Sequence, residues 1–288
     1  MECCIIIFVI DNRTHFLNGN LVNESELKIS PRDLGFSRGY AVFDFLRTYQ
    51  KHKPFKLKEH IDRIFNSAEK IGLEIPWGKE EVADWVFETL SANPSQEEKF
   101  IKIYFSGGVS DSMTPLGEPT IIILIDPCFQ YPKEWYEEGT GIITVKHTRY
   151  NSSAKTNNYI EGVKQSVLAK KIGALEPIYY SDRQVFEGSN SNVFALIDGK
   201  LVTPKSNILE GITRVALLEI LKLDLPIEVK DFTIEELKNA KEIFMTGSAK
   251  EVVPVVRLDD GEVGDGKVGE ITKKVIKQFR DYTLLGNW

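Results

Sequence analysis

Lys155 and Glu187 are the two residues whose types and surroundings could do chemistry. Lys155 lies in the polar tract Ser153-Ala154-Lys155-Thr156-Asn157-Asn158-Tyr159, and Glu187 precedes a glycine-serine turn. A buried lysine amine is nucleophilic and can form a Schiff base, with a neighbour such as Tyr159 to position it. A carboxylate beside a pyridine nitrogen keeps that nitrogen protonated, so that the ring accepts electrons from a carbanion. The pair indicates a site for a pyridoxal ring; the plainer interpretation is a solvated loop lysine and a turn glutamate.

Two glycine-containing turns and one arginine could bind the phosphate of such a cofactor. Gly211, Ile212 and Thr213 open a helix, where free backbone N–H groups and a hydroxyl favour an anion. Ser248 lies in a second turn, Thr-Gly-Ser-Ala-Lys-Glu. Arg63 could bind phosphate through two N–H groups. The alternatives are an ordinary helix cap and an exposed helix arginine paired with Glu59.

The elements that must position these residues alternate along the chain. Glycine, proline and hydrophobic spacing predict a hairpin over 16–22 around Asn-Gly and a helix capped at Ser30 with Pro31 in its first position. An apolar run at 3–10 and a segment within 39–50 are predicted strands. Helices are predicted over 57–72, 79–91, 159–172, 213–221, 233–239 and 268–282. Further strands are predicted over 100–105, 120–125, 142–145, 176–180, 193–197, 201–203, 227–229 and 242–245.

This alternation predicts an α/β or α+β fold. The length of 288 residues suits two domains. We expect a smaller N-terminal α/β domain over 1–125, a linker over 126–134 that contains two prolines, and a larger domain over 135–288 that binds the cofactor.

Composition excludes several classes of function. The net charge is −6 and the basic residues are dispersed, which argues against nucleic acid as a partner. Three cysteines and four histidines show neither a disulfide framework nor the spacing of a metal site. The apolar run at 3–10 is too short to cross a membrane and lacks the features of a signal peptide. We therefore expect a cytoplasmic protein that binds no metal.

Six short motifs, in the correct order, resemble the class IV (fold type IV) pyridoxal-phosphate aminotransferases, which include branched-chain and D-amino acid aminotransferases and aminodeoxychorismate lyases. The resemblance covers nearly the whole chain from about Phe16. The motifs are Phe-Leu-Asn-Gly near the start, Glu-His-Ile-Asp-Arg at 59–63, Lys155 with Asn158-Tyr159, Glu-Gly-Ser-Asn-Ser-Asn-Val-Phe at 187–194, Gly-Ile-Thr-Arg at 211–214 and Thr-Gly-Ser-Ala-Lys-Glu at 246–251.

The resemblance implies a two-domain fold with pyridoxal 5′-phosphate at the domain interface, and a homodimer. Lys155 would bind the cofactor covalently and move the proton between Cα and C4′, while Glu187 would bind the pyridine nitrogen. Tyr159 would lie near the phenolic oxygen. The phosphate would be held by Arg63, by the turn at Gly211 with the N–H groups of Ile212 and Thr213, and by Ser248.

The same resemblance gives the reaction as transamination between a small amino acid and a 2-oxo acid. Phe43 with its neighbouring aspartate, and the glycine-rich loop at Gly107, are similar to branched-chain enzymes. Arg38 stands where that family has a tyrosine; Arg38 and Arg47 could bind the substrate carboxylate or form salt bridges. Ala249 is a further candidate for the substrate site. D-amino acid transamination comes second, aminodeoxychorismate lysis third, and a non-catalytic family member is the alternative of another class.

Overall fold

The computed structural model describes residues 13–288, and the predicted strand at 3–10 lies outside them. The chain has a mixed α/β architecture of two compact units. The first unit ends at Cys128 and the second spans Phe129–Trp288.

The first unit is built on a six-stranded antiparallel sheet with strand order β2-β1-β6-β5-β3-β4. In chain order its elements are β1 (Thr14–Leu17), β2 (Asn20–Asn23), α1 (Leu34–Arg38), β3 (Ala41–Tyr49), β4 (Lys53–Pro54), α2 (Leu57–Lys70), α3 (Lys79–Ser91), β5 (Lys99–Ser106) and β6 (Thr120–Pro127). The predicted hairpin at Asn-Gly is confirmed: Asn18 and Gly19 adopt the positive φ angles that such a tight turn needs.

The core of the first unit lies on one face of this sheet, under α2 and α3. Ile61, Ile64 and Ala68 of α2 pack there at helical spacing. Alternate residues of the central strands complete the core, Val42 and Leu46 among them. The opposite residues of β3, including Phe43 and Arg47, therefore lie on the other face.

The predicted helix cap at Ser30 is wrong. The helix begins at Leu34, and the carboxylate of Asp33 accepts a hydrogen bond from the N–H of Gly35 at 2.7 Å. Pro31 lies in the turn before it. Asp33 is the better N-cap because its carboxylate is also fixed by the hydroxyls of Ser106 and Thr120, at 2.9 and 2.8 Å.

The second unit contains a nine-stranded mixed sheet with strand order β12-β11-β10-β13-β14-β7-β8-β9, and β15 pairs with β14. Its elements are α4 (Glu134–Glu137), β7 (Thr140–Lys146), α5 (Ile160–Lys171), β8 (Ala174–Ser181), β9 (Gln184–Gly188), β10 (Asn192–Ile197), β11 (Lys200–Thr203), α6 (Ile212–Ile220), β12 (Ile227–Val229), α7 (Ile234–Lys238), β13 (Glu242–Gly247), β14 (Glu251–Leu258), β15 (Gly261–Glu262) and α8 (Glu270–Leu285).

The predicted helices and strands of this unit are confirmed to within a few residues, but β9, β14 and the short elements α4 and β15 were not predicted. Strand β14 lies in the middle of the sheet, between β13 and β7. Strand β9 contains Glu187, which is therefore a buried strand residue and not a turn glutamate. Within residues 13–288, no helix is both long enough and apolar enough to cross a membrane.

Candidate active site

Glu187 is the buried carboxylate around which the site in the second unit is built. Its side chain lies near the end of β9, and the residue is only 4% exposed. Oε2 accepts a hydrogen bond from the N–H of Leu209 at 2.9 Å. Oε1 lies 3.0 Å from Nε of Arg149 but accepts no hydrogen bond within the described residues, because the N–H is not directed at it. One oxygen is thus fixed and the other is available to a donor.

Burial raises the pKa of Glu187 to about 7, and the positive charges of Arg149 and Lys155 only partly offset this. With these two cations already in place, such a carboxylate still takes up a proton near neutral pH unless a further strong donor faces it. A protonated pyridine nitrogen is such a donor. The orphaned Oε1 therefore fits the ring nitrogen of pyridoxal phosphate.

Lys155 lies in the loop between β7 and α5 and is buried, with 9% exposure. Its positive charge is close enough to lower the pKa of Glu187. Arg149 connects the two residues, since its NH2 group donates to the carbonyl of Ser152 at 2.5 Å, three residues before Lys155. The structure thus brings the lysine and the glutamate of the sequence prediction into one neighbourhood.

The loop before α6 approaches Glu187 from another side. The Leu209 N–H is held by Glu187, and the Leu209 carbonyl accepts a hydrogen bond from the amide of Asn192 at 2.8 Å. Gly211 is required there, because a Cβ on it would lie 2.0 Å from Oδ1 of Asn192. Two residues of the predicted phosphate site, Gly211 and the adjoining Ile212, are therefore anchored by the strands that carry Glu187 and Asn192.

The start of α6 has the features of an anion site. Gly211 is its N-cap, and no side chain within the described residues caps this end. The first N–H groups of a helix carry partial positive charge and need acceptors. Ile212 and Thr213 supply the first of these groups, and both residues are buried. The arrangement fits a phosphate group.

Ser248 and Ala249 lie in the turn that connects β13 to β14. Asn192 pairs with Thr246 across β10 and β13, so this turn is at the same end of the sheet as the loop at Gly211. The hydroxyl of Thr246 is buried and has no hydrogen-bond partner within residues 13–288. Thr246 at the end of β13 and Ser248 in the turn could therefore supply hydroxyl donors to the same ligand.

Tyr159 is the N-cap of α5 and is half-buried. It lines a cavity of about 250 Å³ together with Arg149, Tyr179 and Ser189. Burial raises the pKa of Tyr179 to about 12, so its hydroxyl keeps its proton at neutral pH. The cavity thus has a cation and two phenols on its walls.

Arg63 belongs to the first unit, where it is part of a buried cluster with Asp44 and His60. Its Nε and NH2 groups each donate to the carboxylate of Asp44 at 2.8 Å, and Nδ1 of His60 lies 2.6 Å from the same carboxylate. Burial alone would raise the pKa of Asp44, but the charges of Arg63 and His60 hold it well below its usual range. The predicted contact of Arg63 with phosphate stays a prediction.

The predicted substrate residues of the first unit fall into two places. Arg38 ends α1, where its NH1 group donates to the Ser37 carbonyl at 2.9 Å. Phe43 and Arg47 share one face of β3; Phe43 stacks on Tyr104 with ring centroids 5.6 Å apart. Arg47 lies over the ring of Tyr49 at 4.7 Å.

Gly107 follows β5 and packs against Tyr40. A Cβ on Gly107 would lie 2.6 Å from the Tyr40 ring, so only glycine fits. Its N–H donates to the Tyr40 carbonyl at 3.1 Å, which holds this loop beside the strand that carries Phe43.

Arg149 and the N–H of Leu209 were missed in the sequence. Arg149 lies at the beginning of the polar tract that contains Lys155, and an arginine in such a tract is a signal that could have been used. The Leu209 N–H carries no side-chain signal. The described residues include no cluster of three or more His, Cys, Asp or Glu that could hold a metal ion.

A mixed α/β unit in which a buried lysine lies near a buried carboxylate, beside an uncapped helix start, is an arrangement that suits a pyridoxal-phosphate enzyme. Comparison with known proteins identifies the class. The sequence model of the amino-transferase class IV family matches residues 41–258. The chain therefore belongs to the class IV aminotransferase family, whose members use pyridoxal phosphate.

Two relatives cover nearly the whole chain. A protein of Methanocaldococcus jannaschii, provisionally named a branched-chain-amino-acid aminotransferase, is 36% identical and aligns with 92% of this chain and 95% of its own. The D-alanine aminotransferase of Staphylococcus aureus is 34% identical over 93% of this chain and 96% of its own.

Among solved structures, the branched-chain aminotransferase of the thermophilic archaeon Thermoproteus uzoniensis with norvaline superposes with a TM-score of 0.85. It is 30% identical, and the superposition covers 95% of both chains. The predicted fold type IV architecture is confirmed by this likeness.

Proposed function

We propose that this enzyme transfers the amino group of a small, branched-chain-like amino acid to a 2-oxo acid, with Lys155 and Glu187 as its central residues. The observation that carries the proposal is the buried Glu187, whose Oε1 accepts no hydrogen bond within the described residues, in the electrostatic field of the buried Lys155. When bound, pyridoxal phosphate supplies an electron sink for the pair of electrons left as the α-proton departs.

In this proposal each residue has one role. Lys155 would bind the cofactor covalently, would give way to the substrate amine and, once released, would move the proton from the substrate Cα to C4′. Glu187 accepts a hydrogen bond from the N–H of the protonated ring nitrogen. The N–H groups of Ile212 and Thr213, and the hydroxyl of Ser248, hold the phosphate.

The neighbours of Glu187 prepare it for this role. The Leu209 N–H fixes the orientation of the carboxylate at 2.9 Å, and Arg149 favours its ionised form. Because neither contact uses Oε1 as a hydrogen-bond acceptor, that oxygen can accept from the ring without losing an existing bond. Tyr159, at the wall of the neighbouring cavity, is the candidate for the phenolic oxygen of the ring.

The branched-chain assignment rests on the M. jannaschii relative and the T. uzoniensis structure. The paired aromatic rings of Phe43 and Tyr104 offer an apolar surface of the kind that an aliphatic side chain prefers. Arg38 and Arg47 are the proposed carboxylate ligands, and Gly107 and Ala249 are proposed to approach the substrate. The second candidate is D-alanine transamination, which the 34% identity to the S. aureus enzyme favours.

We also propose a cytoplasmic homodimer. The family resemblance supports the dimer, and three cysteines without a disulfide framework support a reducing compartment. Light scattering on the purified protein should give twice the mass of 32.7 kDa; a monomer mass would contradict the dimer.

A half-reaction screen tests the function. The holoenzyme is mixed with single L- and D-amino acids, and conversion to the pyridoxamine form is followed by absorbance. L-leucine, L-isoleucine and L-valine should convert it faster than D-alanine, while Lys155→Ala, the matched control, should convert with none. Faster conversion by D-alanine would favour the second candidate, and conversion by no amino acid, with 2-oxo acids also inactive, would contradict transamination. Release of pyruvate from aminodeoxychorismate would instead indicate the lyase.

A further inference from the structure

Lys250 is a buried lysine that the proposed chemistry does not use. It lies in the turn between β13 and β14, is 4% exposed, and forms an ion pair with Glu176 of β8, which is 2% exposed. Nζ of Lys250 donates to Oε1 of Glu176 at 2.5 Å, to Oδ1 of Asn190 at 2.5 Å and to Oγ of Ser191 at 2.9 Å. An ammonium group has three protons, so these contacts account for all of them.

Both carboxylate oxygens of Glu176 likewise accept hydrogen bonds. Besides Lys250, its Oε1 accepts a hydrogen bond from the hydroxyl of Ser191. Its Oε2 accepts from Oγ of Ser189 and from the N–H of Asn190, each at 3.1 Å. The network has donors and acceptors in balance, which is the condition for a polar cluster to be stable inside a protein.

The network joins two turns that carry proposed cofactor contacts. Ser189, Asn190 and Ser191 directly follow the strand that contains Glu187. Lys250 directly follows Ser248 and Ala249 in the other turn. The Tyr136 hydroxyl also donates to the Lys250 carbonyl at 3.1 Å, so the backbone of this turn is held from a second side.

Stability alone does not account for such a pair. Burying two charges costs several kcal/mol, and apolar residues of similar size often give an equal or more stable fold. Burial alone would raise the pKa of Glu176, but the charge and hydrogen bonds of Lys250 hold it below its ordinary value. Glu176 is therefore ionised, and the directed contacts of the pair define the distance between the two turns.

We propose that Lys250 is a positioning residue: through Glu176, Asn190 and Ser191 it holds the turn of Ser248 at a fixed place relative to the strand of Glu187. This inference rests on the proposed function, because it assumes that Ser248 and Glu187 contact opposite ends of one cofactor. If the phosphate site moved by about 1 Å relative to the ring-nitrogen site, one rigid ligand could not make good contacts with both.

The test separates positioning from stability by comparing three variants with the wild type. Lys250→Met leaves the Glu176 carboxylate buried without its cation and lowers the melting temperature. Glu176→Gln/Lys250→Met removes both charges and should recover most of that loss. Lys200→Met is the matched control, because Lys200 forms an exposed pair with Glu228 in the same unit. For each, the Kd for pyridoxal phosphate and the absorption maximum of the bound cofactor are measured.

We expect the double variant to melt close to the wild type yet bind pyridoxal phosphate about tenfold more weakly, with a shifted absorption maximum. Lys200→Met should match the wild type in all three measurements. Recovery of the Kd together with the melting temperature would overturn the proposal, because the pair would then serve only the fold. A wild-type protein that binds no pyridoxal phosphate would refute the proposed function itself.

Asn190→Ala provides a milder test, which remains valid if the double variant fails to fold. Asn190 is exposed, and the change removes one of the three contacts of Nζ while both charges remain. Loss of one hydrogen bond should weaken cofactor binding about threefold, with a smaller fall in the melting temperature than Lys250→Met causes. An unchanged Kd would count against positioning by Lys250.

Discussion

The pKa of Glu187 leads to a prediction about the stability of the cofactor-free protein. Burial raises this pKa to about 7 from an ordinary value of 4.5. The folded protein therefore holds a proton on Glu187 at pH values where the unfolded chain has lost it. Stability that depends on this proton is present at low pH and is lost as the pH rises through 4.5 to about 7.

The magnitude follows from the shift. At about 1.4 kcal/mol per pKa unit, the loss is on the order of 3 kcal/mol at most, and roughly 2–3 kcal/mol of it falls between pH 5 and pH 8. Glu187→Gln cannot titrate. Between these two pH values, the free energy of unfolding of the wild-type apoprotein should fall by about that much more than the free energy of the variant.

The assay is urea denaturation of both apoproteins at pH 5 and pH 8. Using the difference between two pH values cancels the packing effects of the substitution, which are the same at both. Addition of pyridoxal phosphate at pH 8 should restore the wild type more than the variant, because the ring nitrogen stabilises the ionised carboxylate. Equal pH dependence of the two apoproteins would refute the inferred state of Glu187.

Three further predictions concern single substitutions. Lys155→Ala should lose transamination by at least about a thousandfold while its circular dichroism is unchanged; near-normal turnover would show that another lysine acts. Arg38→Ala should raise KM for amino acids about tenfold with a smaller change in kcat, whereas an unchanged KM with altered stability would indicate a structural role. Gly211→Ala should weaken binding of pyridoxal phosphate at least about tenfold, because its Cβ would displace Asn192; titration that shows wild-type affinity would contradict the anchoring of this loop.

Elements with a clear period could be predicted from the sequence. Helix α2 shows why: its apolar residues recur at three and four positions, and they do form the core of the first unit. Strand β9 was missed because its buried residues do not alternate with exposed ones, since Val185 to Gly188 are all buried.

Strand β14 was missed for a different reason. It contains Pro254, and a proline normally argues against a central strand because it lacks an N–H. The pairing of β14 with β7 explains why a proline is tolerated in this central strand. The parallel pairing begins only at Val255, so Pro254 lies just before it. Local sequence does not reveal where a distant strand begins to pair.

In the candidate site, too, local motifs are visible in the sequence and long-range contacts are not. Lys155, Glu187 and Gly211 stood out as candidates in the sequence because they belong to local motifs of characteristic residue types, and their roles stay predictions. The ion pairs of Arg63 and Arg149 could not be predicted from the sequence. Arg63 was expected, in the plainer interpretation, to pair with Glu59 one turn away, but its two bonds at 2.8 Å go to Asp44, 19 residues distant. Contacts such as Arg149 with Glu187 likewise depend on the fold and not on spacing.

The proposed function is tested most directly by identifying the lysine that binds the cofactor. The holoenzyme is reduced with borohydride and digested, and the peptides are sequenced by mass spectrometry. We expect a phosphopyridoxyl group on Lys155 and none on Lys250, whose amine already donates hydrogen bonds to Glu176, Asn190 and Ser191. A label on Lys250 or any other lysine, or a protein that takes up no cofactor, would contradict the proposed role of Lys155.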